Sequence, residues 1–272
     1  LLLLACFFVA QALALLVGAS FISRRVSVVE NPSEPGNALL FFAYVISASV
    51  VLLLLLKFYK GKKLFLILEY LLVFAAVQLF SSLYFNEFFS LALGIVALAA
   101  RIFVPKTRFF LLLYSTAVVG ALLGASLDLL PSVLLASLLA GYDVIAVFWS
   151  KHMITLAKNL EKRGAAFSLQ LKRGTESVQL GTGDVAIPAM VGVSSLKLAE
   201  SENAISVTSF RVASFLPGVF ALAGGLVGLA IVMLVLERKK GYWPALPPIV
   251  FGTLAGLAAY WLVFSLFAFR VV

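Results

Sequence analysis

Long apolar runs separated by short polar interruptions dominate the 272-residue sequence. The runs reach about 20 residues, the length at which a helix rising 1.5 Å per residue crosses roughly 30 Å of hydrocarbon. They lack the alternating ten-residue strands of an outer-membrane barrel. Nine spans are predicted, at about 1–22, 38–58, 64–84, 88–104, 108–128, 131–155, 178–197, 212–236 and 243–268. Breaker signals divide them: "ENPSEPGN" after the first, "KGKK" after the second, Pro105 after the fourth, Pro131 after the fifth and "ERKKG" after the eighth. The run from Leu1 to Ile22 reads as a span, being too long for the apolar region of a signal peptide and having no basic segment before it. The pattern thus predicts an all-α polytopic membrane protein, a bundle of nine transmembrane helices. Pairs of small residues at i, i+4, Gly120 with Gly124, Gly224 with Gly228 and Gly252 with Gly256, mark places where helix backbones can approach closely. Packing within the bundle is expected there, ahead of a dimer interface.

Composition agrees with the pattern. Hydrophobic residues make up 63% and charged residues 12%, with a mean hydropathy of +1.11, whereas a soluble domain carries about 25% charged residues. Cys6 is the only cysteine and His152 the only histidine, which excludes an internal disulfide and a cysteine-based zinc site; no metal or other cofactor is expected. The net charge of +9 would suggest nucleic acid in a soluble protein. Here its distribution points to membrane orientation. Of the 21 lysines and arginines, 16 fall on the connections after even-numbered spans. With nine spans, that bias predicts a cytoplasmic N-terminus and an external C-terminus, in a membrane expected to be the cell membrane. The charged stretch from Lys151 to Glu176 suggests the only internal division: a six-helix part at 1–155, a cytoplasmic connection at 156–177 and a three-helix part at 178–272.

Candidate chemistry lies on either side of that connection. In "LLAGYDVIAVFW", Leu138–Trp149, an aspartate stands within a membrane-crossing run. A carboxylate at bilayer depth costs at least roughly 2.5 kcal/mol on insertion scales, which makes Asp143 a functional candidate by default. The next span opens "VQLGTGDVAIPAM" and carries Asp184. Asp143 lies eight residues before Lys151, and Asp184 eight residues after Glu176. If both segments are helical, each acid is about 12 Å inside the cytoplasmic edge, and the two can face each other. Gly181 and Gly183 let another chain come close. Pro188, four residues beyond Asp184, cannot donate to the Asp184 carbonyl, so the helix is loosened at the acid and water is expected to reach it.

Two adjacent carboxylates do not comfortably ionise together and instead share a proton. An aspartic protease uses such a pair, and so could a proton or cation pathway in a transporter. The two acids alone leave these alternatives equal. A further element is "GYWPALPPIVFG" before the ninth span, where Pro244, Pro247 and Pro248 deny the chain a regular hydrogen-bond pattern at the face nearest the acids.

Together, Tyr142-Asp143 in span six, Gly181-Thr182-Gly183-Asp184 in span seven and Pro244-Ala245-Leu246 at span nine resemble the presenilin and signal peptide peptidase family of intramembrane aspartyl proteases. The YD, GxGD and PAL motifs of that family stand here in order and on the corresponding spans. The resemblance implies that Asp143 and Asp184 are the catalytic pair, that Gly181 and Gly183 shape the active site, and that Pro244, Ala245 and Leu246 lie near the aspartates and help place substrate. Tyr142 and Thr182 belong to the same motifs. It also implies substrates that are transmembrane helices. The orientation read from charge, and the "PALP" at Pro244–Pro247 preceded by Trp243, are similar to presenilin rather than signal peptide peptidase. The short connection lacks the hydrophobic segment at which presenilin is cut within itself, so no autoproteolysis is expected. Short loops resemble a compact microbial homologue acting without accessory subunits; self-association is left open, and no nucleic-acid partner is expected. A prepilin-peptidase-like enzyme also uses a GxGD acid, but the PAL element and nine spans argue against it.

The remaining polar residues have simpler expectations. Glu69 should be a bundle-facing acid with a hydrogen-bond partner, Gln78 and Asp128 packing or interface residues, and Lys151 and His152 interfacial. Tyr142 points about 100° away from Asp143 on a helix, which leaves substrate contact and packing equally open.

Overall fold

The computed structural model describes residues 2–58, 63–104, 106–149, 168–173, 176–202, 212–238 and 243–268. Among them are nine α-helices: α1 (Leu2–Ser23), α2 (Gly36–Phe58), α3 (Lys63–Ser81), α4 (Glu87–Phe103), α5 (Thr107–Ser126), α6 (Leu129–Val144), α7 (Thr182–Glu202), α8 (Leu216–Arg238) and α9 (Leu246–Ala268). Their ends carry local signals. Asn86 caps α4 by accepting from the Phe89 N–H at 3.0 Å. Pro131, Pro217, Pro247 and Pro248 occupy opening turns of α6, α8 and α9, where a missing N–H leaves no helical bond unmade. Helix α1 stops in a Schellman arrangement, with Val26 N–H donating to the Phe21 carbonyl and Arg25 N–H to that of Ile22, both at 2.9 Å.

Among the described residues, six helices are long and apolar enough to cross a membrane: α1, α2, α5, α6 extended to Trp149, α8 and α9. Large apolar side chains such as Phe88, Phe103, Phe110 and Phe251 point outward, as they would toward lipid. The other three helices have physical reasons for falling short. Helix α4 has only 17 residues, the continuous apolar part of α3 covers Leu66–Ser81, and α7 carries Asp184, three serines and Lys197.

Helix α7 is central, packed against α1, α5, α6, α8 and α9. Its first half, from Val185 through Val193, is largely buried. The small-residue pairs all serve internal packing. A methyl group on Gly120 would lie 2.7 Å from the Ala186 carbonyl oxygen, and one on Gly124 would lie 2.5 Å from that of Met190, so α5 meets α7 backbone to backbone. Gly224 and Gly228 on α8 face Gly252 and Gly256 on α9 in the same way.

Two sequence expectations need correction. The seventh span does not begin as a helix at 178. Residues Glu176–Gly181 form strand β2, paired antiparallel with β1 (Ser168–Arg173) in register Arg173↔Glu176 through Ser168↔Gly181. The charged connection therefore contains secondary structure, and the described residues are helical apart from this hairpin and short irregular turns. Apolar and polar residues alternate through "SLQLKR" and "ESVQLG", a period of two that suits a strand. Gly181 and Gly183 are also poor helix formers. The sixth span, in turn, does not stay α-helical: after Val144 it widens into a π-helical turn, Ile145–Trp149. Lys151, His152 and most of the connection lie outside the described residues.

Candidate active site

Three chain segments meet at one end of the bundle: the last turn of α6, the first turn of α7 and the start of α9. Asp143 is the penultimate residue of α6, immediately before the π turn. A π turn rotates the side chains that follow relative to an α-helical continuation and is frequent at functional sites. Asp184 is in the first turn of α7, two residues beyond its first residue, Thr182. The depth estimate for Asp184 assumed a helical rise from Glu176 onward and is corrected here, because Glu176–Gly181 is a strand. The strand advances about 3.3 Å per residue rather than 1.5 Å, so the acid is placed by the strand-to-helix switch.

Both aspartates are half-buried and lie within electrostatic reach of each other. Each accepts a hydrogen bond from a main-chain N–H: Leu246 N donates to Asp143 Oδ2 at 3.3 Å, and Gly181 N donates to Asp184 Oδ2 at 3.2 Å. Among the described residues the second oxygen, Oδ1, of each acid has no hydrogen-bond donor. One oxygen of each carboxylate is thus fixed by backbone.

The proline-rich start of α9 is held from two directions. Pro244 and Leu246 are buried and Ala245 is half-buried. Leu246 packs with Leu139 and Ala140 of α6 and with Val250 of α9. The Trp243 ring meets the Phe148 ring of the π turn edge-on at 5.7 Å. Asp143 and Phe148 therefore both tie this segment to the end of α6. Around the acids, Gly183 is exposed with nothing within 4 Å of where a Cβ would stand, whereas a Cβ on Gly181 would sit 3.0 Å from Asp184 Oδ2. Thr182 is half-buried. Tyr142 meets Phe42 of α2 edge-on at 6.2 Å, so part of its ring packs against a neighbouring helix.

The other polar residues separate from this cluster. Glu69 is fully buried and accepts from Arg101 Nε at 2.8 Å and from Arg108 Nη2 at 2.9 Å. Asp128 accepts from Lys197 Nζ at 3.1 Å at the opposite end of α7. Among the described residues, neither makes a hydrogen bond or ion pair with Asp143 or Asp184. One residue that sequence reasoning passed over is Gln11 of α1: it is only 3% exposed, and its Nε2 donates to the Val185 carbonyl at 2.8 Å. Its signal was a lone carboxamide within a 22-residue apolar helix. Among the described residues no cluster of histidine, cysteine, aspartate and glutamate could hold a metal ion.

The family model described as signal-peptide peptidase, presenilin aspartyl protease matches residues 4–163, a stretch that includes Asp143 and ends before Asp184. Two solved structures of a presenilin family intramembrane aspartate protease share the fold. One, in space group C222, superposes with a TM-score of 0.69 at 23% identity, covering 94% of this chain and 96% of its own. The other, in space group P2, gives 0.62 at 24% identity, covering 93% and 95%. No curated protein matches the chain.

Proposed function

The chain belongs to the signal-peptide peptidase and presenilin family of intramembrane aspartyl proteases, and on that premise we propose that Asp143 and Asp184 are its catalytic dyad, cutting peptide bonds within transmembrane helices of other membrane proteins. The observation that carries this reading is the meeting of two half-buried carboxylates, each fixed through one oxygen by a main-chain donor and each, among the described residues, with no donor on its second oxygen.

The chemistry follows from a shared proton. The ionised acid takes a proton from water as the water oxygen attacks the scissile carbonyl carbon, while the protonated acid donates to the carbonyl oxygen. Collapse of the tetrahedral intermediate breaks the C–N bond, the leaving nitrogen takes a proton from the dyad, and a carboxylic acid and an amine depart. Such attack requires an extended substrate, because a helical peptide bond is engaged in its own ladder. Main-chain edges for an extended chain exist close by: among the described residues β1 covers only one edge of β2, and Pro244 and Ala245 before α9 belong to no helix or strand. The open space at Gly183 would let the chain approach. In this reading Gly181, Gly183, Thr182, Tyr142, Pro244, Ala245 and Leu246 shape the site and place substrate.

We extend the reading to the whole chain. All nine helices cross the membrane, with a six-helix part, the charged connection bearing the hairpin, and a three-helix part; the N-terminus is cytoplasmic and the C-terminus outside. The protein resides in the cell membrane and acts without accessory subunits. Neither the family nor the fold favours the transporter alternative.

The test is cleavage of a single-span substrate in detergent or liposomes by the purified protein, with products identified by mass spectrometry. Cuts within the span that disappear in both Asp143→Ala and Asp184→Ala are expected. Retained cleavage in either folded variant would overturn the dyad.

A further inference from the structure

Pro188 opens the turn that carries Asp184. It has no N–H to give the Asp184 carbonyl, and its ring crowds the preceding turn. Main-chain groups loosened in this way must find partners elsewhere when water is scarce. Gln11 holds the neighbouring carbonyl rather than the one that Pro188 leaves unmade: its buried Nε2 donates to the carbonyl of Val185, the residue next to Asp184, across 174 positions of sequence. Gln11 is the lone carboxamide on α1 and has no role in the proposed chemistry. A carboxamide is an expensive group to bury in an apolar helix, and here it is spent on a main-chain acceptor one residue from an acid.

The surrounding packing explains why this bond can control position. On its α5 side, α7 is held by contact with glycine backbone at Gly120 and Gly124; further along α1, Gly18 meets Val193 of α7. These contacts engage Ala186, Ala189, Met190 and Val193, all beyond Asp184. On the α1 side of the opened turn, Gln11 supplies the directional contact.

We propose that Gln11 is a positioning residue for Asp184, its carboxamide holding the proline-opened first turn of α7 in place against α1. The inference rests on the proteolytic reading for its consequence in catalysis, but the restraint itself can be measured without activity.

Gln11→Met keeps the length of the side chain and removes the donor. Faster hydrogen–deuterium exchange over residues 182–190, with exchange in α8 unchanged, is expected. Where the wild type cleaves a single-span substrate, kcat should fall by about tenfold to a hundredfold with KM little changed, the cost of a misplaced catalytic group. Adding Pro188→Ala should recover part of both effects, since alanine restores an N–H to the turn. Unchanged exchange would overturn the inference whether or not the wild type is active; a lower Tm with unaltered kcat would overturn it by showing a merely structural role. If Gln11→Met alone does not fold, the double variant decides: recovery of folding and activity supports the restraint, and failure to recover overturns it. A wild type that cuts nothing would count against the protease reading, with the exchange measurement still deciding the role of Gln11.

Discussion

The N–H of Leu246 donates to Asp143 Oδ2 at 3.3 Å, across 103 positions of sequence. The motif before α9 therefore acts on the acid through its main chain, while the Leu246 side chain is buried among α6 and α9 residues. The two contributions can be separated. Leu246→Ala keeps the N–H and loses core packing, a change worth about 2–5 kcal/mol of stability at a well-packed site. Leu246→Pro loses the same side chain and the donor as well, and proline is tolerated as the first residue of a helix. Cleavage rates of the two variants, compared at a temperature where both are folded, should differ by about tenfold or more in favour of alanine, since a hydrogen bond to a charged group is worth about 1.5–3 kcal/mol.

The two glycines before Asp184 should respond differently to alanine. At Gly181 the new methyl would stand 3.0 Å from Asp184 Oδ2, so the carboxylate must shift by a few tenths of an ångström. At Gly183 there is open space. Gly181→Ala is expected to lower kcat, by misplacing a reacting group. Gly183→Ala should leave Tm nearly unchanged and act mainly on KM, because the space that it fills is where substrate would approach. Michaelis parameters for both variants, with thermal denaturation as control, check the pair.

What the sequence made legible follows from period and length. Apolar runs located all nine helices of the described residues, because a span must be continuous in the chain. The breakers set their ends. The strand at Glu176–Gly181 was obscured by its own continuity with α7: a short alternating run leading directly into an apolar stretch looks like an early helical turn. The π turn after Val144 leaves no composition signal, since it changes the phase of side chains and not their kind. Asp143 and Asp184 stood out because carboxylates are costly in an apolar run. The Leu246 N–H and the Gln11 bond to Val185 did not, because each is a main-chain contact between distant segments that residue identity does not encode.

Arg25 offers a stabilising substitution. It is the only non-glycine residue with positive φ among the described residues, at 55°, and it occupies the position after α1 where glycine is preferred. A side chain in the left-handed region costs roughly 1–2 kcal/mol, part of which glycine returns as extra freedom in the unfolded chain. Arg25→Gly should therefore stabilise the protein by about 0.5–1 kcal/mol, seen as a higher Tm in detergent with cleavage unaffected, because the turn lies far from the aspartates in the fold.

Glu69 and its two arginines make the opposite case. The carboxylate is fully buried, Arg101 is 7% exposed, and Arg108 reaches in from the start of α5, so one acid joins α3, α4 and α5. Glu69→Leu would leave the buried Arg101 guanidinium without its counter-ion, a loss of about 3–5 kcal/mol when one member of a buried pair is removed. Replacing Arg101 together with Glu69 by leucine should recover most of that loss, because the penalty comes from the unpaired charge rather than from the missing attraction. Chemical or thermal denaturation of the single and double variants distinguishes the two. A double variant no more stable than Glu69→Leu would mean that the cluster holds the three helices through directed hydrogen bonds, with burial of charge a minor cost.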